Sequence, residues 1–183
     1  KEACRLNPTL VGAWTNYAIA LKHARLWEEC LLACERARAL APEGVEGAEG
    51  LCWNAGIAAT AMERWRDARR AWRSYGLAIA DGDLDEPLVM DNLGHAGVRV
   101  AIDTEPEVVF CQRIDPCRAK IMSVPLPESD RRFGDIVLHD GERRGEQTER
   151  RIAMNHTVPH VADLAIPSRR QALSTPRCQY HKF

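Results

Sequence analysis

No apolar run in the chain approaches the roughly 20 residues that a helix needs to cross a bilayer. The amino terminus lacks the charged-then-apolar pattern of a secretory leader. It also lacks an initiator Met and opens inside a helix-like segment, which reads as a piece of something longer. An excess of one charge is missing too. Lys and Arg number 25 against 26 Asp and Glu, a formal net charge of -1, so no overall field attracts nucleic acid or an anionic membrane. Lys is scarce, 4 residues against 21 Arg, a bias that a GC-rich genome produces without any functional cause. The seven Cys are odd in number and lack paired spacing, so a disulfide framework is not indicated and a reducing, cytoplasmic setting is expected. Trp is absent from the second half: all five lie in the first 80 residues.

What is present is a pattern that occurs twice. Asn16, Trp27, Cys30, Cys34 and Ala37 recur 38 residues later as Asn54, Trp65, Ala68, Trp72 and Tyr75. Such a period marks a helical repeat array. Residues 11–23 and 27–40 each read as an amphipathic helix. In the second, Trp27, Cys30, Leu31, Cys34, Ala37 and Leu40 fall three or four apart and share a face, and Pro42 with Gly44 stops it. Residues 50–61 and 64–79 repeat the arrangement, with Trp65, Ala68, Trp72, Tyr75 and Leu77 apolar and Gly82 as the capping residue. Ala18 is expected against Cys30, and Gly56 against Ala68, at close helix crossings.

These residues resemble the tetratricopeptide repeat family over roughly residues 1–80. Trp14 matches the early aromatic of the first helix, Ala18 the small residue at the crossing, Ala37 and Pro42 the later Ala and closing Pro. Gly56, Ala68 and Trp72 take the corresponding places in the second copy, and Ala3 to Pro8 look like the end of a preceding repeat. The pattern departs from the family in a loop about four residues longer around 44–50 and in the missing Pro after the second copy. The resemblance implies antiparallel helix pairs and a concave groove that binds a protein or peptide. It places Thr15, Asn16, Ile19, Lys22 and His23 in that groove, with Trp53, Asn54, Ile57 and Thr60 from the second copy. The competing account is structural: the two Asn bond helix backbone, and the two Ile pack against a neighbouring repeat.

After Gly82 short alternating runs begin, and the fold class expected is α+β. The division is 1–82 helical repeats, 83–97 linker, 98–141 a small antiparallel β domain, and 142–183 a tail that is disordered or not in the native reading frame. Strands are expected at 98–102, 107–114, 120–124 and 135–139, with a turn at 103–106 and another at 115–118. This part resembles a β module of bacterial repeat proteins.

Little here carries chemistry. His156, His160, Cys178 and His181 are zinc-ligand types, but Pro159 excludes a regular helix presenting both His, so no metal or other cofactor is expected. Cys111, His139 and Asp140 lack a nucleophile elbow or a glycine-rich oxyanion turn, so no catalytic residue is assigned. The acidic run 81–86 has Glu86 where a calcium loop needs Gly. Asn155 to Thr157 forms a glycosylation sequon, relevant only in a secretory pathway. Arg66, Arg69, Arg70 and Arg73 form a stripe interrupted by Glu63 and Asp67, which disfavours nucleic acid and fits a solvated outer face. The function expected is that of an interaction scaffold or adaptor, neither enzymatic nor membrane-bound. The alternatives are a ligand-binding or enzymatic β domain with the repeats as docking arm, and a nucleic-acid adaptor using the arginine stripe.

Overall fold

A computed structural model describes residues 1–42, 48–80, 82–100, 106–143 and 159–160. The fold is mixed α+β: among the described residues, five α-helices are followed by a four-stranded antiparallel sheet. The helices are α1 (Glu2–Leu6), α2 (Val11–His23), α3 (Trp27–Leu40), α4 (Ala48–Ala61) and α5 (Trp65–Tyr75). α2 packs on α3, α4 on α5, and α4 also meets both helices of the first pair.

The 38-residue period is visible in the backbone. Arg25 and Glu63 both sit at φ 58°, in the left-handed region. Each closes the same C-terminal motif: Leu26 N–H donates to the Leu21 carbonyl and Arg25 N–H to Lys22, while Arg64 N–H donates to Ala59 and Glu63 N–H to Thr60. This six-to-one and five-to-two pattern satisfies the orphan carbonyls and turns the chain sharply into the next helix. α5 ends in the same way at Gly76, φ 104°, with Leu77 N–H on the Trp72 carbonyl. The cap is therefore Gly76, not Gly82, and α5 stops four residues short of 79. Leu77 extends the apolar pattern past the helix because it packs on the same core from the loop.

The two crossings differ. In the first pair the Cys30 thiol donates to the Ala18 carbonyl at 3.4 Å. In the second, Gly56 faces the ring of Trp72. A Cβ on Gly56 would lie 2.6 Å from that ring, and Trp72 is fully buried. At the second crossing the large ring fits because the facing residue has no side chain. Outside the core, Arg64 pairs with Glu28 and Arg70 with Glu35, tying α5 to α3 across the surface. Exposed pairs of this kind set register more than they add stability.

The sheet is a meander of β1 (His95–Val100), β2 (Glu107–Arg113), β3 (Arg118–Ile121) and β4 (Ile136–Leu138). β3 begins two residues earlier than the alternating pattern indicates. Asp115 accepts from the backbone N–H of Cys117 and of Arg118, and this tight Asx turn returns the chain to pairing at once. The turn expected at 103–106 lies mostly outside the described residues. One face of the sheet is a closed apolar cluster of Val98, Val100, Val109, Cys111, Ala119, Ile121 and Val137. At one end of the sheet, Cys117 and Leu138 join Leu88 in the core of the helices, so helices and sheet share a hydrophobic core. Within the tail, β5 (Glu142–Arg143) pairs antiparallel with β6 (Pro159–His160), so two short pieces of it are ordered in strands. The sparse apolar periodicity of that segment gives no sign of a two-residue pairing. Residues 144–158 and 161–183, with His156, Cys178, His181 and Asn155, lie outside the described residues.

Gly56→Ala is expected to lower stability by about 1–3 kcal/mol through overpacking against Trp72. On a Trp72→Cys background the same change should cost almost nothing, because the ring it collides with is gone. Urea melts of the four proteins check this; equal costs in both backgrounds would place the Trp72 ring elsewhere.

Candidate functional site

The candidate site is built around α4. From Leu51 to Thr60 every residue is buried except Trp53, which is half-buried. The indole of Trp53 leans on Trp72 edge-on, centroids 5.0 Å apart, and on Tyr75 at 4.8 Å. Its Nε1–H donates to the backbone carbonyl of Asp140 at 2.6 Å. Asp140 belongs to the segment that leaves β4, so a loop of the β half lies directly on a helix of the repeat half. Gly141 follows at φ 72°, and a Cβ there would come within 2.7 Å of the Trp53 ring. Only glycine combines that conformation with that approach. The Asp140 carboxylate lies 3.9 Å from the Lys22 ammonium, with side-chain exposures of 2% and 12%.

Beside this contact is an open cleft of about 500 Å³. Ile19, Lys22 and His23 of α2 form one wall, and Trp53, Asn54 and Tyr75 another. Glu49 and Gly50 lie at the start of α4, with Asp140 and Gly141 as the third side. Of the residues that the family resemblance places in a groove, Ile19, Lys22, His23, Trp53 and Asn54 thus converge. Thr15 and Asn16 do not line the cleft: the Thr15 hydroxyl donates to the Val11 carbonyl within its own helix, and Asn16 is exposed. Ile57 and Thr60 are not groove residues either, being 0% and 1% exposed. The β half covers the turn of α4 that carries them. Groove analogy misses Glu49, Gly50 and Tyr75 of the helices and Asp140 and Gly141 of the β half. The signal for the last two is the composition of α4, which carries no charge between Glu49 and Glu63. A helix apolar all round must be covered all round.

His139 is fully buried, and both ring nitrogens lack a hydrogen-bond partner. Burial, with the Arg113 charge as a smaller contribution, pulls its pKa down to about 4. Cys111 lies in the other apolar cluster, on the closed face of the sheet, where burial pushes its thiol up to about 12. That is the opposite of the shift that activates a nucleophile. Burial likewise holds the Cys117 thiol well above its ordinary value, aided by the charge of Asp115. Among the described residues no group of three or more His, Cys, Asp and Glu could hold a metal ion.

The arginine stripe is engaged within the molecule. Arg69 is buried and donates to the Glu86 carbonyl at 2.8 Å. Arg73 reaches the carbonyls of Ile79 and Ala80, Arg70 reaches Asp67 and Glu35, and Arg66 reaches Asp85. The stripe therefore fastens the connecting segment to α5, and Arg69 is not on a solvated face. Comparison of the chain with protein-family models, with curated proteins and with solved structures gives no match.

The contact between Gly141 and Trp53 can be probed directly. Gly141→Val is expected to loosen the loop from Trp53, costing on the order of 1–3 kcal/mol and raising solvent exposure of the indole, read by Trp fluorescence and melting. His139 gives a pH dependence of known sign. Its folded pKa of about 4 lies below the ordinary 6.5. Between those values the unfolded chain binds a proton that the folded chain does not, so stability falls as pH drops from 6.5 to 4 and levels off below. The full span amounts to on the order of 3 kcal/mol. His139→Leu should flatten that part of the profile in urea titrations; an unchanged slope would assign the dependence to other groups.

Proposed function

We propose that residues 1–80 form a tetratricopeptide-like array and that the protein is an interaction scaffold or adaptor. Its binding site is the cleft between α2, α4 and the loop at Asp140 and Gly141, and its ligand is an extended peptide or a partner's loop. The observation that carries the reading is the seating of the chain's own segment there. A backbone carbonyl on the Trp53 indole N–H, a carboxylate toward Lys22 and a glycine close against an aromatic ring are the contacts that a peptide makes with a protein surface. The rest of the cleft offers more of the same kind. Ile19 is exposed apolar ground, the Asn54 side chain makes no hydrogen bond to the described residues, and His23 and Glu49 stand at the rim. An amide that both donates and accepts suits a peptide backbone. The β half acts as a wall of the site, restricting what enters a groove that would otherwise be open. The nucleic-acid reading gains nothing from Arg66 to Arg73, whose guanidinium groups hold the molecule's own carbonyls and carboxylates.

A peptide-display library selected on the full chain tests this. Peptides recovered should lose about tenfold in affinity for Asn54→Ala, the equivalent of one hydrogen bond, and should also weaken for Trp53→Phe, which releases the Asp140 wall that the indole N–H holds. Asn16→Ala should bind as wild type, because Asn16 lies outside the cleft. Selected peptides indifferent to Asn54 and Trp53 would remove the site from the cleft.

A further inference from the structure

The sheet has a second face, and most of it is uncovered. Residues alternate along each strand, so positions opposite to the closed cluster share this face. Phe110 stands here, 44% exposed, with Val108, Met122 and Ile136, each between 36% and 53% exposed. The pairing brings them together. Cys111 lies opposite Ile121, which puts Phe110 beside Met122, whose N–H donates to the Phe110 carbonyl. Lys120 lies opposite both Gln112 and Ile136. Across β1, Arg99 lies opposite Val108 and His95 opposite Gln112, and the His95 ring stacks on Phe110 at 4.8 Å. Only one end of this face is sealed: Arg118 and Leu138 are buried there, and the Arg118 guanidinium lies 4.5 Å over the ring of Trp65.

A contiguous apolar patch with a polar edge on a folded domain marks a contact surface, and the polar groups here discriminate among occupants. The strand positions on this face carry Arg99, Lys120 and His95 and no carboxylate. Self-pairing across a two-fold axis would set this face, whose charged groups are all cationic, against a copy of itself with no carboxylate to answer them. Single-stranded nucleic acid needs several rings for stacking and a cationic track for phosphates; this face offers the one Phe, already stacked by His95, and mostly aliphatic ground. Three strands about 4.8 Å apart make a strip wide enough for one helix of about 10 Å diameter.

We propose that this face of the sheet, centred on Phe110, is a second docking surface, independent of the cleft, and that it takes an amphipathic helix whose flanking polar residues are acidic. The apolar stripe of the helix covers Val108, Phe110, Met122 and Ile136, and its carboxylates meet Arg99 and Lys120.

Two labelled amphipathic peptides with the same Leu stripe test this on the full chain by fluorescence anisotropy, one with Glu and Gln at its polar positions, the other with Lys and Gln. The Glu peptide should bind at least tenfold more tightly than the Lys peptide. Phe110→Ser and, separately, Ile136→Ser should each weaken the Glu peptide about tenfold without changing the melting temperature by more than a few degrees. Arg99→Glu with Lys120→Glu should reverse the preference between the peptides. Equal affinity for both peptides would overturn the proposal, as would loss of the Glu peptide on Asn54→Ala instead of Phe110→Ser. So would binding of an oligothymidylate that depends on Phe110. A dimer in sedimentation that Phe110→Ser dissociates would assign the face to a second copy of the chain and overturn it equally.

Discussion

The structure depends on one helix having no side to give to water. α4 carries no charged side chain from Gly50 to Met62, and nearly all of it is buried. A helix of that composition is stable only when enclosed. α2 and α3 cover one side and α5 another, and what remains is covered by the sheet end that brings Cys117 and Leu138. The β half is therefore part of the packing of the helices. Removing it would take Cys117 and Leu138 out of the core that α4 centres. The loop on Trp53 arises from the same constraint, since the only partly exposed side chain of the central turns is the one that reaches out to hold Asp140.

The joint itself is polar at its edge and apolar inside. Arg118 is buried, ion-paired with Asp115, hydrogen-bonded to the Leu88 carbonyl and laid over the Trp65 ring. A buried guanidinium is tolerable only with its donors satisfied, and Asp115 in turn accepts from two backbone N–H groups of the turn preceding β3. The same carboxylate thus forms the turn that starts the strand and neutralises the charge that anchors it. Trp65, a repeat position, is the surface against which this happens. In the first copy the matching residue is Trp27, which stays half-exposed. The repeat supplies the same ring twice, and the β half uses the second.

How far each element can be read from the sequence depends on its surroundings. The helix limits at 11–23 and 27–40 emerge from periodic apolar positions alone, because those helices have a wet face that makes the period visible. Periodicity carries α5 too far, since Leu77 and Ile79 continue the apolar pattern from a loop, and only Gly76 in the left-handed region marks the break. β2 alternates clearly, and so does β1 from Val98 on, but β1 starts at His95, inside the stretch 83–97 read as a linker, because Ala96 and Gly97 offer too little side chain to show the alternation. The start of β3 is hidden because the Asx turn of Asp115, a local hydrogen-bond device, brings Arg118 into the ladder before any alternation begins. The groove is half-legible. Helical spacing identifies which residues share a line with Ile19 and Trp53, but whether that line stays open depends on contacts 80 or more residues away. Groove analogy treats Ile57 and Thr60 as equivalent to Ile19 and Lys22, whereas the all-apolar α4 already indicates that something covers its later turns.

The two proposed surfaces differ in what they recognise, and the difference comes from how each is built. The cleft borders a core, so its polar groups are few and each has a fixed direction: an indole N–H, an amide and an ammonium held by a carboxylate. The indole N–H and the ammonium already meet Asp140, so on the proposed reading the Asn54 amide is the group that takes a peptide backbone. The face of the sheet is the reverse of a closed apolar cluster, rigid in its backbone but free in its side chains. There the selection comes from the sign of charge around an apolar strip. On the proposed reading of the chain as a scaffold, one ligand is selected by hydrogen-bond geometry and the other by electrostatics. The cleft draws on Trp53, Lys22 and Asp140, which also hold the β half to the helices, whereas the face of the sheet draws on none of them.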